Sequence, residues 1–293
     1  MAMRLLSQVK GALARINPEE IRNRAERQLR ILLQAQASAG YAEMEDFLAP
    51  ADLSREKRME VARTLVRDCD RQASGRFTLV FAERGTALPA DWEEGKDAFV
   101  FDAAHPERLV RRVLEGREDL DLALARLFPP FRRAVVKETV HKIAGENALF
   151  SIMTALPNVI PSLAELPWIA GEFASDTAVL TANQIRMAFL LAAASDRPLG
   201  FREQRSEIGS IIAGAWGWRA GARQLVSKVP FGGGIIPKAA IAYAGTYVVG
   251  LSLERLYRVG YGLTRDERHE AYEAAFERGR EVAAGLLDRV RKR

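Results

Sequence analysis

Cysteine is nearly missing from this chain: Cys69 is the only one in 293 residues. That excludes an intramolecular disulfide and fits a reducing compartment. Histidine is almost as scarce. His105, His141 and His269 lie far apart, and no Cys/His pair has zinc-ligand spacing. No metal and no cofactor is expected, and neither a Ser-His-Asp nor a Cys-His arrangement can be argued from spacing. His141, on a charged helical stretch, is expected at the surface. Charge of one sign is also lacking, because Lys+Arg 43 against Asp+Glu 38 leaves a net +5. Such a surplus is compatible with anionic lipid or acidic protein. No basic face with interleaved aromatics and no reading motif accompanies it, so nucleic acid is not an expected partner. The opening residues do not read as a signal peptide, since Lys10 and Arg15 interrupt them.

What the chain does have is an apolar helical region, Asn147 to Gly260, punctuated by Pro157, Pro161, Pro167, the glycines at 232–234 and Pro237. The other segments read as attached to this core. Met1 to Ile16 has an amphipathic helical pattern, with Leu5, Val9, Leu13 and Ile16 on one stripe. Asn17-Pro18-Glu19-Glu20 starts a helix: Asn caps, Pro takes the first helical position, and the acids suit the positive end.

Leu29 to Leu33 reads as a buried strand, followed by the small-residue loop Gln34 to Ala42 and a helix through Leu48. Strand, loop, helix is the layout of a phosphate-binding loop. The Walker spacing G-x-x-x-x-G-K-[ST] puts Ala35 at the first glycine and Gly40 at the second, with Tyr41 at the lysine and Ala42 at the hydroxyl residue. The lysine should meet the β/γ-phosphates and the hydroxyl should hold magnesium. Each such charge-assisted contact is worth roughly 1.5–3 kcal/mol, so losing both weakens binding on the order of a thousandfold or more. The chain has no Asn-Lys pair for a guanine-reading N-K-x-D, and the nearest D-x-x-G candidate, Ala82 to Gly85, lacks the aspartate.

Further on, Ser54 caps a helix over Arg55 to Gln72, with Met59, Ala62, Leu65, Val66 and Cys69 on one face. Strands are expected at Phe77–Phe81 and Asp97–Phe101, and helices at 107–114, 119–127 and 131–146. Alternation of strands and helices implies a parallel sheet of about three strands. The apolar region then carries helices from Asp176 or Thr177 to Ala193, from Arg202 to Val226, and from Pro237 to about Arg258. A charged amphipathic helix follows Thr264.

The fold class expected is therefore α+β, mostly α: a small degenerate P-loop-like α/β domain, then a helical bundle or hairpin domain. The divisions fall at 1–28 (N-terminal helices), 29–116 (degenerate GTPase-like domain), 117–263 (helical domain) and 264–293 (charged C-terminal helix). Asn147, Asn183, Gln184 and Arg186 are polar groups inside apolar helices. Together with Arg219, Arg223 and Thr246 they form the expected structural polar network, because buried polar groups need partners. Arg219 and Arg223 are also spaced for surface ion pairs with Glu203 and Glu207. The run Gly245 to Gly250 is expected to mark close helix packing.

Gly232 to Leu253, 22 residues at ~1.5 Å each, would span roughly 33 Å against a hydrocarbon layer of ~30 Å. Neighbouring helices suit a bilayer less well, since Arg186, Arg219 and Arg223 would each cost roughly 2.5–3.5 kcal/mol near its centre. A globular bundle, cytoplasmic and peripheral at the inner membrane, is the expectation. The alternative is an integral protein of two to four spans with a transport or structural role.

Asn183-Gln184-Ile185-Arg186-Met187, Arg219-Ala220-Gly221-Ala222-Arg223, the Val229-Pro230 to Gly234 turn, and Ala242-Tyr243-Ala244-Gly245-Thr246 with Gly250 resemble the bacterial domain of unknown function numbered 697. The resemblance covers roughly residues 130 to 260. That domain commonly follows an Era-like GTPase domain, led into by a segment like Asn17 to Ile31. The resemblance implies a membrane-associated helical module beside a pseudo-GTPase-like part. It points to a non-catalytic scaffold or regulator that acts with a partner GTPase or a second copy of itself. An enzyme of unrecognised class is the further alternative, with no constellation to support it.

Overall fold

The computed structural model describes residue 11 and residues 16–70, 75–88, 91–155, 176–214 and 234–291. These are mostly helical, with one small parallel sheet. Leu5, Val9 and Leu13 of the N-terminal stripe, the proline-broken stretch 157–167, Arg219, Arg223 and the glycines at 232–233 lie outside the described residues. The chain forms two compact units. One comprises 20–137 with 193–197, and the other 1–19, 138–192 and 198–293. The division falls at 137 rather than 116, and the charged tail shares a unit with the apolar helices instead of standing apart.

The first unit holds α1 (Pro18–Ala25), β1 (Ile31–Gln34), α2 (Ser38–Leu48), α3 (Arg55–Thr64), β2 (Leu65–Arg67), β3 (Leu79–Glu83), β4 (Ala98–Phe101), α4 (Glu107–Gly116), α5 (Asp121–Leu127) and the start of α6 (Pro129–Met153). All four strands are parallel, in the order β2-β1-β3-β4. Leu32 stands opposite both Val66 and Val80, and Phe81 opposite Phe99. Alternate residues Ile31, Leu33, Leu79, Phe81, Phe99 and Phe101 face one core, covered by Met44, Leu48, Val61, Leu109, Val113 and Leu124 from the helices. Leu32, Val80 and Ala98 point the other way, against Phe77, Leu88 and Trp92 from connecting segments. Burial on both faces is why these strands read as continuous apolar runs.

The sheet has four strands where three were expected, because the helix read over Arg55–Gln72 stops at Thr64. Its supposed apolar face was a coincidence of spacing: Met59 is 52% exposed and Cys69 is exposed. Pairing with β1 buries Val66, a β-branched residue better suited to a strand.

Residues 193–197 are held in this unit by ion pairs. Lys57 Nζ lies 2.8 Å from Glu60 and 2.7 Å from Asp196, and Arg126 Nη1 lies 2.7 Å from Glu60 and 3.3 Å from Asp196. Burial pushes both carboxyls up, but hydrogen bonds and charge from Lys57 and Arg126 outweigh it, leaving both below their usual range. A depressed folded pKa contributes stability that is present above the unfolded value, about 4, and lost as pH falls through the folded one. Thermal melts of the wild type should therefore weaken progressively below about pH 4. Asp196→Asn should be less stable at neutral pH and show a shallower acid dependence. An unchanged slope would show that the pair is not coupled to folding.

The second unit is helical: the rest of α6, α7 (Asp176–Ala194, to residue 192), α8 (205–214), α9 (Ile235–Val259) and α10 (Arg265–Arg291). Ala239 and Tyr243 of α9 meet Ala283 and Leu287 of α10, while Ala244 and Val248 meet Tyr272 and Ala275. The two helices are thus antiparallel along their length. Gly260, at φ 90°, ends α9 in the left-handed region. Thr264 and Glu267 then start α10 with a reciprocal capping box: Thr264 N donates to Glu267 Oε2 at 2.8 Å, and Glu267 N donates to Thr264 Oγ1 at 3.3 Å.

Small residues set the helix spacing. A Cβ on Gly279 would sit 3.0 Å from the Ala240 carbonyl oxygen, and one on Gly250 would sit 2.6 Å from Val140 Cγ1 and 3.1 Å from Met187 Sδ. Gly250→Ala should therefore overpack the meeting of α6, α7 and α9 and lower stability by about 1–3 kcal/mol in a urea titration. A stability gain, as expected for removing a helical glycine in open space, would contradict this packing.

Candidate functional site

Two groups of polar side chains stand out, one in each unit. In the first unit, β1 delivers the chain to a loop of three residues, Ala35–Ala37, and α2 begins at Ser38. Gly40, Tyr41 and Ala42 are therefore helical rather than part of an open loop. Gln36 N donates to Glu83 Oε2 at 2.9 Å, and Gln36 Nε2 donates to the Gly85 carbonyl at 2.9 Å. A Cβ on Gly40 would fall 2.6 Å from that same Glu83 oxygen and 2.9 Å from Ala35 Cβ. A carboxylate from the end of β3 thus occupies the ground beside the loop amide, and only glycine at position 40 leaves room for it.

Tyr41, at the lysine position of the Walker spacing, is buried and points its hydroxyl at the Asp68 carboxylate, with the Ala35 carbonyl 3.2 Å away. Burial, and then Asp68, push the phenol well above the ordinary tyrosine range. One turn on, Glu45 takes a two-pronged contact from Arg67, 2.7 Å to each oxygen, and the guanidinium lies 5.6 Å from the Tyr41 ring centroid. Tyr41 and Glu45 fasten α2 to the end of β2.

These residues do not fit a nucleoside triphosphate with magnesium. The ammonium and hydroxyl donors are replaced by a phenol and a methyl, and the loop amide already serves a carboxylate. Asp68 and Glu83 escaped the sequence reading. Asp68 was hidden by the unrecognised strand β2, although an aspartate directly after Leu65-Val66-Arg67 was a usable signal. Glu83 falls at an unconstrained place in the incomplete D-x-x-G of Ala82 to Gly85, and nothing local points it at residue 36.

In the second unit the structure brings together Asn147, Asn183, Gln184 and Thr246, all buried. Asn147 Nδ2 donates to Thr246 Oγ1 at 2.7 Å, Asn183 Nδ2 donates to Asn147 Oδ1 at 2.8 Å, and Gln184 Nε2 donates to Thr246 Oγ1 at 3.2 Å. One amide thus joins α6, α7 and α9. Arg186 stands apart from this set and pairs with Glu146. Arg219 and Arg223 lie outside the described residues.

His141, expected at the surface, is half-buried. Its Nδ1 lies 3.0 Å from Tyr243 Oη, and its ring centroid 5.0 Å from that of Tyr247. The charged residues flanking it in sequence concealed a position that faces α9. A groove of about 1590 Å³ runs between α8, α9 and α10, with Ile211, Val248, Leu253, Leu256, Tyr272 and Phe276 in its walls. Among the described residues, no group of three His, Cys, Asp or Glu side chains could hold a metal ion.

No family model, no curated protein and no solved structure matches the chain.

The amide network gives a direct test. Asn147→Ala removes the hub, taking the partner from the buried Asn183 amide and leaving Thr246 with Gln184 alone, and should cost about 1–3 kcal/mol. The urea midpoint should fall while the slope is kept. A midpoint within experimental error of wild type would remove the network from the stability of this unit.

Proposed function

We propose that this chain is a non-catalytic, membrane-proximal scaffold or regulator. Its sheet-bearing unit is a pseudo-GTPase-like module, and its helical unit is of the kind it resembles, the domain numbered 697. The observation that carries this reading is the Glu83 carboxylate on the Gln36 amide, admitted by Gly40. A phosphate approaching the same amide would meet a fixed negative charge instead of a lysine, so a protein built this way works by its surfaces and not by nucleotide turnover. A partner GTPase or a second copy of the chain is the proposed counterpart.

The proposed location is the cytoplasmic face of the inner membrane. Thr177–Ala194 and Ile235–Val259 are long and apolar enough to cross a bilayer, and they motivate the integral alternative. Against it, 78% of the first is buried inside the fold. The second packs along the charged helix α10, which would have to be stripped away or carried into the hydrocarbon.

Titration with a fluorescent GTP analogue should give no saturable signal up to millimolar concentration, with or without magnesium. Micromolar binding that disappears in Gly40→Val would overturn the pseudo-GTPase reading. Membrane fractions should release the protein to carbonate, and retention after the wash would favour the integral alternative.

A further inference from the structure

We infer that the tip of the α9–α10 hairpin, residues 258–268, is the part of the helical unit that touches an anionic lipid surface; the inference rests on the peripheral location proposed above. Four large apolar side chains are exposed among the described residues, and two of them, Val259 at 44% and Tyr261 at 58%, sit within three residues of each other on this tip. Nothing in the fold requires them to be apolar, because neither is buried.

The tip is held in one shape. Gly260 turns the chain at φ 90°, Leu263 N donates to Ser252 Oγ at 3.1 Å, and a Cβ on Gly262 would come within 2.6 Å of that same oxygen. Tyr261 is braced by the Arg255 guanidinium, 4.9 Å from its ring centroid. A braced tyrosine beside an aliphatic residue suits the interfacial layer of a bilayer, where an apolar body and a polar end are both accommodated.

The charges point the same way. Of the groups around the tip, Arg255 is paired with Glu267 at 2.5 Å and Arg258 with Glu254 at 2.8 Å. His269 lies 3.4 Å from Glu273. That leaves exposed Arg265 and Arg268 against exposed Asp266, with exposed Glu270 farther from the tip along α10, and no ion pair to either arginine among the described residues. Both arginines lie in the first turn of α10, the end of a helix that repels cations, so the helix itself gains nothing from them. An anionic surface facing the tip would reward both, at about fivefold in partition for each cation near it.

The test uses the full chain and two sets of vesicles, phosphatidylcholine alone and phosphatidylcholine with phosphatidylglycerol. Wild type should co-sediment with the anionic set in low salt. Arg265→Gln with Arg268→Gln should lower that partition by about twenty-five-fold, and Val259→Asp or Tyr261→Asp should lower it further. Arg280→Gln, farther along α10, should leave it unchanged. Tyr261→Trp should retain binding and be quenched by brominated lipid, a readout that a merely misfolded variant would not reproduce. If wild type ignores anionic vesicles, the peripheral location fails and the inference with it. If wild type binds while the tip variants bind equally well, or the Tyr261→Trp reporter escapes quenching, the tip assignment fails and the location stands.

Discussion

A 25-residue apolar helix cannot stand alone in water, and the helical unit is arranged around that constraint. Helix α9 carries almost no charge over its first nineteen residues, and α10 carries a great deal. The second covers the first by turning its few apolar positions inward: Tyr272, Ala275, Ala283 and Leu287 meet α9, while its arginines and glutamates face out. Gly279 lets the backbones approach until a methyl group would touch a carbonyl. Close approach maximises dispersion contact between surfaces made largely of alanine and glycine, where each side chain has little area to offer.

Helices lined with small residues have a second problem, because alanine against alanine fits nearly as well one step along. The amide network answers it. Asn147 both donates to Thr246 and accepts from Asn183, so only one register of α6, α7 and α9 satisfies all three. A buried polar group left without a partner costs more than the bond itself yields, so the network penalises wrong registers as much as it stabilises the right one. Gly250 contributes in the opposite sense, by admitting Val140 and Met187 where any side chain would hold the helices apart.

What could be read from the chain follows from whether the signal is local. Pro237 falls in the first turn of α9, where no backbone donor is missed, and Pro129-Pro130 open α6 for the same reason. The short helix α4 and the strands β1, β3 and β4 were legible because apolar runs were bounded by polar turns. Leu65-Val66 was not, because a three-residue edge strand leaves no periodicity of its own and its neighbours mimicked a helical stripe. Asn147, Asn183, Gln184 and Thr246 were conspicuous as polar residues in apolar surroundings, but their connectivity depends on how three helices cross. The position of Glu83 over residue 36 depends on strand register, which no spacing encodes.

The first unit's loop is intelligible on the reading proposed here. The N-terminus of α2 presents backbone donors and a partial positive charge, which in a nucleotide-binding protein are satisfied by phosphate. Here residues 36–39 are exposed, so the donors that open α2 are met by water, and Glu83 takes only the Gln36 amide just ahead of the helix. Gly40 is the one position of the Walker spacing that keeps the residue the spacing asks for. Its absent side chain now makes room for a carboxylate of the protein itself. A phosphate loop could therefore not be built here by changing one residue. Lysine at position 41 would project toward the Asp68 carboxylate that the tyrosine now meets, so the ammonium would form an internal ion pair before it met any phosphate.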